Sequence, residues 1–361
     1  MTPVPRLTLL AICLYAANLA SWASAPQSDG AIQSRSFASA HLGKDLAYQL
    51  YLPSGFDAKE TARYPVVYLL HGRGDKMTAW TTIKPELDAL IAAGRIPPVI
   101  AIMPDAPSSR RAGYYIDSQF AGADGMPAGE AIETAFTVDL IAHVDATFPT
   151  KTDRLSRIVA GYSMGGYGAL RYALAHPELF GAAIVLSPAV YLPLPPPDSS
   201  TREFGAFGRG AQVFDDVIYT AKNYPAVIPA FVATSLPLVM FIAVGDDERA
   251  LADPREASHD LDYEAHTLYN FMRRVPNVTV QLRVVDGPHD WVTWRPTFVE
   301  GVQYVFQQLK PGRPLAERVG PSRGHCGAMR GLGESVLAAV NTPSTARGGP
   351  RTIPSLAATP D

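Results

Sequence analysis

The sequence predicts an α/β fold, a mostly parallel sheet covered by helices on both faces, and three observations lead there. Continuous apolar runs recur along the chain at Pro65-Val66-Val67-Tyr68-Leu69-Leu70, Pro98 to Met103, Arg157 to Ala160, Ala182 to Leu186, Pro237 to Val244 and Val278 to Val285. Such runs suit strands buried on both faces, and the segments between them are long enough for helices. Polar residues gather just after the runs, where an open parallel sheet has its crevice. One run passes through Gly161-Tyr162-Ser163-Met164-Gly165, the pattern of a strand, a sharp turn and a helix start.

Taken in order, residues 1–25 carry Arg6, an apolar run from Leu7 to Ala20 and the small residues Ala23-Ser24-Ala25. This is the layout of a secretory signal, and the run is too short for a comfortable membrane span. The expected location is therefore secreted or periplasmic, with no stable membrane span. Cys13 falls in this segment and Cys326 near the other end, so an exported mature chain holds one thiol and no internal disulfide. From Ser34 to Leu52 polar and apolar residues alternate around Gly43-Lys44-Asp45, which predicts an antiparallel hairpin at a sheet edge. The parallel runs follow, and Phe298 to Leu309 has the spacing of a closing helix.

Between the fourth and fifth runs, the segment from about 191 to 235 is long for a connection and rich in proline and aromatic residues. It reads as an insertion partly covering the crevice, with Phe204, Phe207 and Phe214 either touching substrate or packing the insertion onto the body. Residues 311–361 hold six arginines against three acids with little apolar periodicity, which predicts a disordered tail.

The composition, 361 residues with 47% hydrophobic and 18% charged, is that of a globular protein with one main domain. A net charge of −3 removes the electrostatic case for nucleic-acid binding.

The strand ends supply a set of chemical groups. Ser163 sits at the turn, where glycines at 161 and 165 permit a tight bend. A serine hydroxyl needs a base, a group to orient that base, and N–H donors for a developing oxyanion. Gly287-Pro288-His289-Asp290 follows the last run and places His289 where a base for Ser163 arrives; His71 is the alternative, although its place before Gly72 suits a brace for its loop. His259 and His266 read as loop and helix-surface residues. The acid comes from Asp246, Asp247 or Glu248 after the fifth run, with Asp260 and Asp262 as further options; the same cluster is also compatible with a solvated loop, a helix start or a calcium site. Glu248 lies 85 residues after Ser163 and 41 before His289. Asp105 is out of chain order for this role and reads as a brace of the rim. The oxyanion donors are the backbone N–H groups of Met164 and, from the His71 to Gly74 loop, Arg73.

Residues 33 to about 310 resemble an α/β-hydrolase of the esterase D, feruloyl esterase and siderophore esterase type, a group that also includes mycobacterial mycolyltransferases. The matching pieces are Tyr68-Leu69-Leu70-His71-Gly72, Met103-Pro104-Asp105, Gly161-Tyr162-Ser163-Met164-Gly165-Gly166 and Gly287-Pro288-His289-Asp290-Trp291. The resemblance implies Ser163 as nucleophile and His289 as base. It places the acid three residues after Gly245, on Glu248; many relatives carry Asp there, which keeps Asp247 in play. Gly113-Tyr114-Tyr115-Ile116-Asp117-Ser118 is similar to a family segment that lines the cleft. The expected activity is that of an exported serine esterase acting on a small-molecule or polysaccharide-linked ester, with no metal or organic cofactor needed. Acyl transfer to a sugar or lipid hydroxyl, and a catalytically inactive binding protein, are the alternatives on the same fold.

Overall fold

The computed structural model describes residues 29–309 apart from 59–60, 124 and 250–253. The expected signal and tail lie outside the described residues. Ten strands are described: β1 (Ala31–Ser39), β2 (Lys44–Leu52), β3 (Val66–Leu70), β4 (Ile100–Pro104), β5 (Gln119–Phe120), β6 (Arg157–Tyr162), β7 (Ala182–Leu186), β8 (Arg209–Gly210), β9 (Leu238–Gly245) and β10 (Val278–Val285). An eight-stranded sheet runs in the order β1-β2-β4-β3-β6-β7-β9-β10, and β5 pairs with β8 apart from it. From β4 to β10 every pairing is parallel, while β1 and β2 form the antiparallel edge. The fold is that of the α/β-hydrolases.

The apolar runs are continuous because both faces of the sheet are covered. In β3, Val66, Tyr68 and Leu70 join one core while Val67 and Leu69 join the other. The first core takes in Ile141 and Val144, Leu170 and Leu174, and Leu268 and Met272, from three helices on that face. The second is closed by Leu87 and Leu90 of one helix and by Trp294, Phe298, Val302 and Val305 of the last.

The edge hairpin turns at Gly43, whose φ of 63° suits glycine. The closing helix spans Trp291–Leu309 and so begins before Phe298. The spacing signal is interrupted by Pro296, but proline in the second turn of a long helix removes only one backbone donor. Asp290 Oδ1 accepts from the Val292 N–H at 2.7 Å and secures the helix start.

The segment 191–235 has its own order. Its helices Asp216–Lys222 and Tyr224–Thr234 begin at Asp215 and Asn223, whose side chains accept from the first helical N–H groups. Phe207 is fully buried against Tyr114, Tyr167, Phe214 and Tyr219, so this ring packs the segment onto the body. Phe204 and Phe214 are half-buried. Among the described residues, no helix is long and apolar enough to cross a membrane.

Candidate active site

Ser163 lies between β6 and the helix Met164–Ala175 with φ 56° and ψ −121°, a backbone conformation that a residue with a side chain adopts only when its surroundings impose it. Those surroundings are tight backbone contacts. A Cβ on Gly161 would strike the Gly165 carbonyl, and a Cβ on Gly165 would strike the Leu70 carbonyl. The two glycines thus let the turn close onto itself and onto the end of β3, which lifts the serine side chain off the sheet.

His289, four residues beyond β10, places Nε2 2.9 Å from Ser163 Oγ. Its Nδ1 lies 2.7 Å from Glu248 Oε2. Glu248 follows β9, and its side chain is 0% exposed while that of His289 is 35% exposed. The ionised carboxylate only accepts, so Nδ1 carries the proton, and Nε2 is free to accept from the serine hydroxyl. Glu248 Oε1 accepts from the Gly245 N–H at 2.7 Å and from Ser187 Oγ at 2.6 Å. Ser187 Oγ in turn accepts from Trp294 Nε1 at 2.9 Å.

The structure therefore brings Ser163, His289 and Glu248 into one array. Asp247 stays outside it. Its side chain is exposed, and its backbone N–H donates to the Gly287 carbonyl at 3.2 Å. Asp246 accepts from the Gly287 N–H at 3.1 Å. Asp246, Asp247 and Asp286 hold carboxylate oxygens within 4.8 Å of one another on the surface, an acidic group of a kind common without any ion. Burial separates the acids: Glu248 is the one that turns inward from the loop.

The loop that carries Arg73 is pressed against the serine. A Cβ on Gly72 would come within 3.5 Å of Ser163 Cβ. His71 is fully buried, with Nε2 accepting from the Ala106 N–H at 3.1 Å, so Nδ1 carries the proton that faces the Gly72 carbonyl at 2.8 Å. Burial pushes its pKa down and keeps it neutral. His71 is thus a brace of this loop. Tyr115 Oη donates to the His71 carbonyl, Trp80 Nε1 to the Leu70 carbonyl, and the Gly74 N–H to the Arg111 carbonyl. Arg111 forms two bonds to Asp105, at 2.6 and 3.1 Å. Burial alone would raise the Asp105 carboxyl, but Arg111 outweighs it and holds the group below its ordinary range. Met164 stands at the first position of its helix, where a backbone N–H has no intrahelical partner.

Tyr114 and Tyr115 both have positive φ and are buried. Tyr115 supports the His71 carbonyl, and Tyr114 donates to or accepts from Thr201 Oγ1 at 2.7 Å, joining the Gly113–Ser118 segment to the insertion.

The remaining candidates, His259, Asp260, Asp262 and His266, lie on the turn and helix between β9 and β10. His266 faces the Asp262 carbonyl on an exposed helix surface, and Asp260 precedes that helix. His259 Nδ1 is 3.4 Å from Glu264 Oε1, which also accepts from the Leu192 N–H at 3.0 Å. Burial pushes the Glu264 carboxyl up to about 8. The Leu261 N–H donates to the Glu248 carbonyl at 3.0 Å and ties this helix to the acid loop.

Sequence reasoning missed Ser187, Trp294 and the Gly245 N–H. Ser187 was findable, since it follows β7 in the way that the other polar groups follow their strands. Trp294 stands five residues after His289, a spacing that does not reveal its contact with Ser187.

A family model described as "Putative esterase" matches residues 39–305. The chain is 35% identical over 171 residues to an endo-1,4-β-xylanase/feruloyl esterase of Xylanibacter ruminicola, 45% of this chain and 22% of that protein. It is 24% identical over 252 residues to an iron(III) enterobactin esterase of Dickeya dadantii, 68% of this chain and 49% of that one. The chain thus spans half or less of the length of these curated relatives. Among solved structures, a ferulic acid esterase superposes with a TM-score of 0.62 at 24% identity, covering 77% of this chain and 98% of that one.

Proposed function

The chain belongs to the esterase family whose model spans residues 39–305, and from that premise we propose that it is an exported serine hydrolase of carboxylic esters. Ser163 is the nucleophile, His289 the general base and Glu248 the acid that orients the base. The observation that carries this reading is the pair of contacts on one imidazole, 2.9 Å to Ser163 Oγ and 2.7 Å to a fully buried Glu248.

In this reading Ser163 Oγ attacks the ester carbonyl carbon as His289 Nε2 takes its proton. The carbonyl oxygen becomes an oxyanion, held by the backbone N–H groups of Met164 and Arg73. The C–O bond to the alcohol then breaks, and His289 returns the proton to the leaving oxygen. Water, deprotonated by the same Nε2, attacks the acyl-serine, and collapse of the second oxyanion frees the acid and restores Ser163.

The catalytic unit is residues 33–310, with an insertion at about 191–235. The Arg6 to Ala25 layout supports export. The relatives' names cover feruloyl, enterobactin and acetyl esters, and the substrate proposed here is a small-molecule or polysaccharide-linked ester of that general class.

The test is hydrolysis of 4-nitrophenyl acetate by the full chain beside Ser163→Ala and His289→Ala. Turnover lost in both variants supports the reading. Turnover kept in Ser163→Ala overturns it. A folded wild-type chain that reacts with a fluorophosphonate at Ser163 yet hydrolyses no ester would point to acyl transfer.

A further inference from the structure

Behind the acid, Ser187 and Trp294 form a hydrogen-bond chain whose proton order is forced. An indole Nε1 is only a donor, so its 2.9 Å contact makes Ser187 Oγ the acceptor there. The single hydroxyl proton is then left for Glu248 Oε1 at 2.6 Å. The Gly245 N–H points at the same oxygen from 2.7 Å. With two donors aimed at Oε1, no proton can sit on it, and Oε2 faces His289 Nδ1.

We propose that Ser187 and Trp294 are positioning residues for ester hydrolysis: Trp294, acting through Ser187, keeps Glu248 ionised and turned so that His289 presents an unprotonated Nε2 to Ser163. The inference rests on the Ser163, His289 and Glu248 reading above. A fully buried carboxylate tends to take up a proton unless donors stabilise its charge. A proton on Oε2 would face Nδ1 and favour the tautomer whose Nε2–H points at Ser163, which leaves the serine without a base. Glutamate also has one more rotatable bond than aspartate, so its carboxylate needs a clamp on the oxygen that does not touch the base.

Both residues are themselves held. Ser187 is fully buried, with φ 41°, and its N–H donates to the Ala243 carbonyl at 2.6 Å. The Trp294 ring stacks on Tyr162 at 4.2 Å and meets His289 edge-on at 5.0 Å, so one side chain touches the base, the nucleophile's strand and the acid's support. The other charged groups on and beside these elements include Asp246, Asp247 and Arg249 on the acid loop, Asp286 and Asp290 flanking the base, Arg295 and Glu300 on the Trp294 helix, Arg283 on β10, Arg157 on β6, Asp75 on the Tyr162 hydroxyl, and His259, Asp260 and Glu264 near Leu261. Neither substitution adds or removes a charge.

The experiment measures kcat and KM for 4-nitrophenyl acetate across pH for the full chain, Ser187→Ala, Trp294→Phe, the double variant and Ser163→Ala. Losing a hydrogen bond to a buried charge lowers kcat of Ser187→Ala by about 10- to 100-fold, with KM within about twofold. The acid limb of kcat/KM moves to higher pH, because the free carboxylate needs the lost donor more than one already paired with imidazolium. Trp294→Phe keeps the ring stack and removes only the N–H, giving a loss of about 3- to 10-fold in the same direction. That loss nearly vanishes in the Ser187→Ala background, since Trp294 acts through Ser187. Independent, multiplying losses, or a lowered melting temperature with an unmoved acid limb, overturn the proposal in favour of packing alone. Ser163→Ala separates the two ideas. If it abolishes turnover while Ser187→Ala matches wild type, only the positioning role fails; if it retains turnover, the catalytic reading fails as well.

Discussion

Two histidines stand at strand ends on the same rim, and their surroundings make them opposites. His71, after β3, is sealed from solvent, and both ring nitrogens are occupied by backbone groups, Gly72 O and Ala106 N. His289, after β10, is partly open, and its nitrogens face two side chains, Ser163 and Glu248. A ring committed to the backbone can hold a loop but cannot exchange a proton with substrate. A ring between a hydroxyl and a carboxylate can. Residue type and strand-end position are shared, so the difference lies in burial and in what each nitrogen meets.

The sharpest way to break this comparison is to remove each ring. His289→Ala should lower kcat by about 10⁶-fold with little change in melting temperature, read by stopped turnover beside thermal circular dichroism. Glu248→Gln comes next, at about 10⁴-fold, because an amide can donate to the imidazole and favour the wrong tautomer. His71→Ala reverses the pattern: a buried cavity and two lost backbone partners cost about 2–4 kcal/mol, or about 5–10 °C in melting temperature, with only a secondary loss of kcat as the Arg73 loop relaxes. Equal effects of the two alanine substitutions on both readouts would erase the distinction.

A milder test uses Arg111→Ala, which frees Asp105 and the Asp75 carbonyl at the end of that loop, to which Arg111 Nη1 donates at 3.0 Å. It should lower kcat by about tenfold, a small part of what the proposed N–H donors would contribute, while leaving the acid limb of the pH profile in place. The smallest effect on turnover belongs to Glu264→Gln. The Glu264 carboxyl is raised by burial from 4.5 to about 8, so the folded chain keeps it neutral while the unfolded chain ionises. Its stabilising contribution is complete below about pH 4.5 and is lost as pH rises toward about 8. Melting temperatures of Glu264→Gln should therefore fall less than those of wild type between pH 5 and 8, with kcat unchanged at pH 7. A parallel decline of the two curves would remove Glu264 from the account.

The sheet was legible because its strands are buried on both faces, which writes them as unbroken apolar runs. The elbow was legible because only glycine fits at 161 and 165. Other parts were hidden for physical reasons. The short pairing of Gln119–Phe120 with Arg209–Gly210 has too few residues for any period. Pro296 masked two turns of the last helix, although its cost there is one backbone bond. Phe207 could not be assigned to cleft or core from spacing, because the rings that bury it come from segments far apart in the chain. The acid was ambiguous among three neighbours, since which side chain turns inward depends on the Gly245 N–H and Ser187 rather than on anything within 246–248. The brace around His71 draws on Ala106, Tyr115 and Arg111, contacts that sequence separation conceals.

β10 lies at an edge of the sheet. It pairs with β9 alone, and most of its residues are only half-buried, whereas β9 is buried throughout. In the proposed reading the base is thus delivered by one of the least protected strands, while the nucleophile rides on β6 in the sheet's interior. Local opening of a sheet edge costs less free energy than global unfolding. On that reading, release of β10 would carry His289 away from Ser163 while the rest of the sheet stays paired. Warming should inactivate the protein before it loses its circular dichroism, and amide exchange in β10 should outpace that in β6.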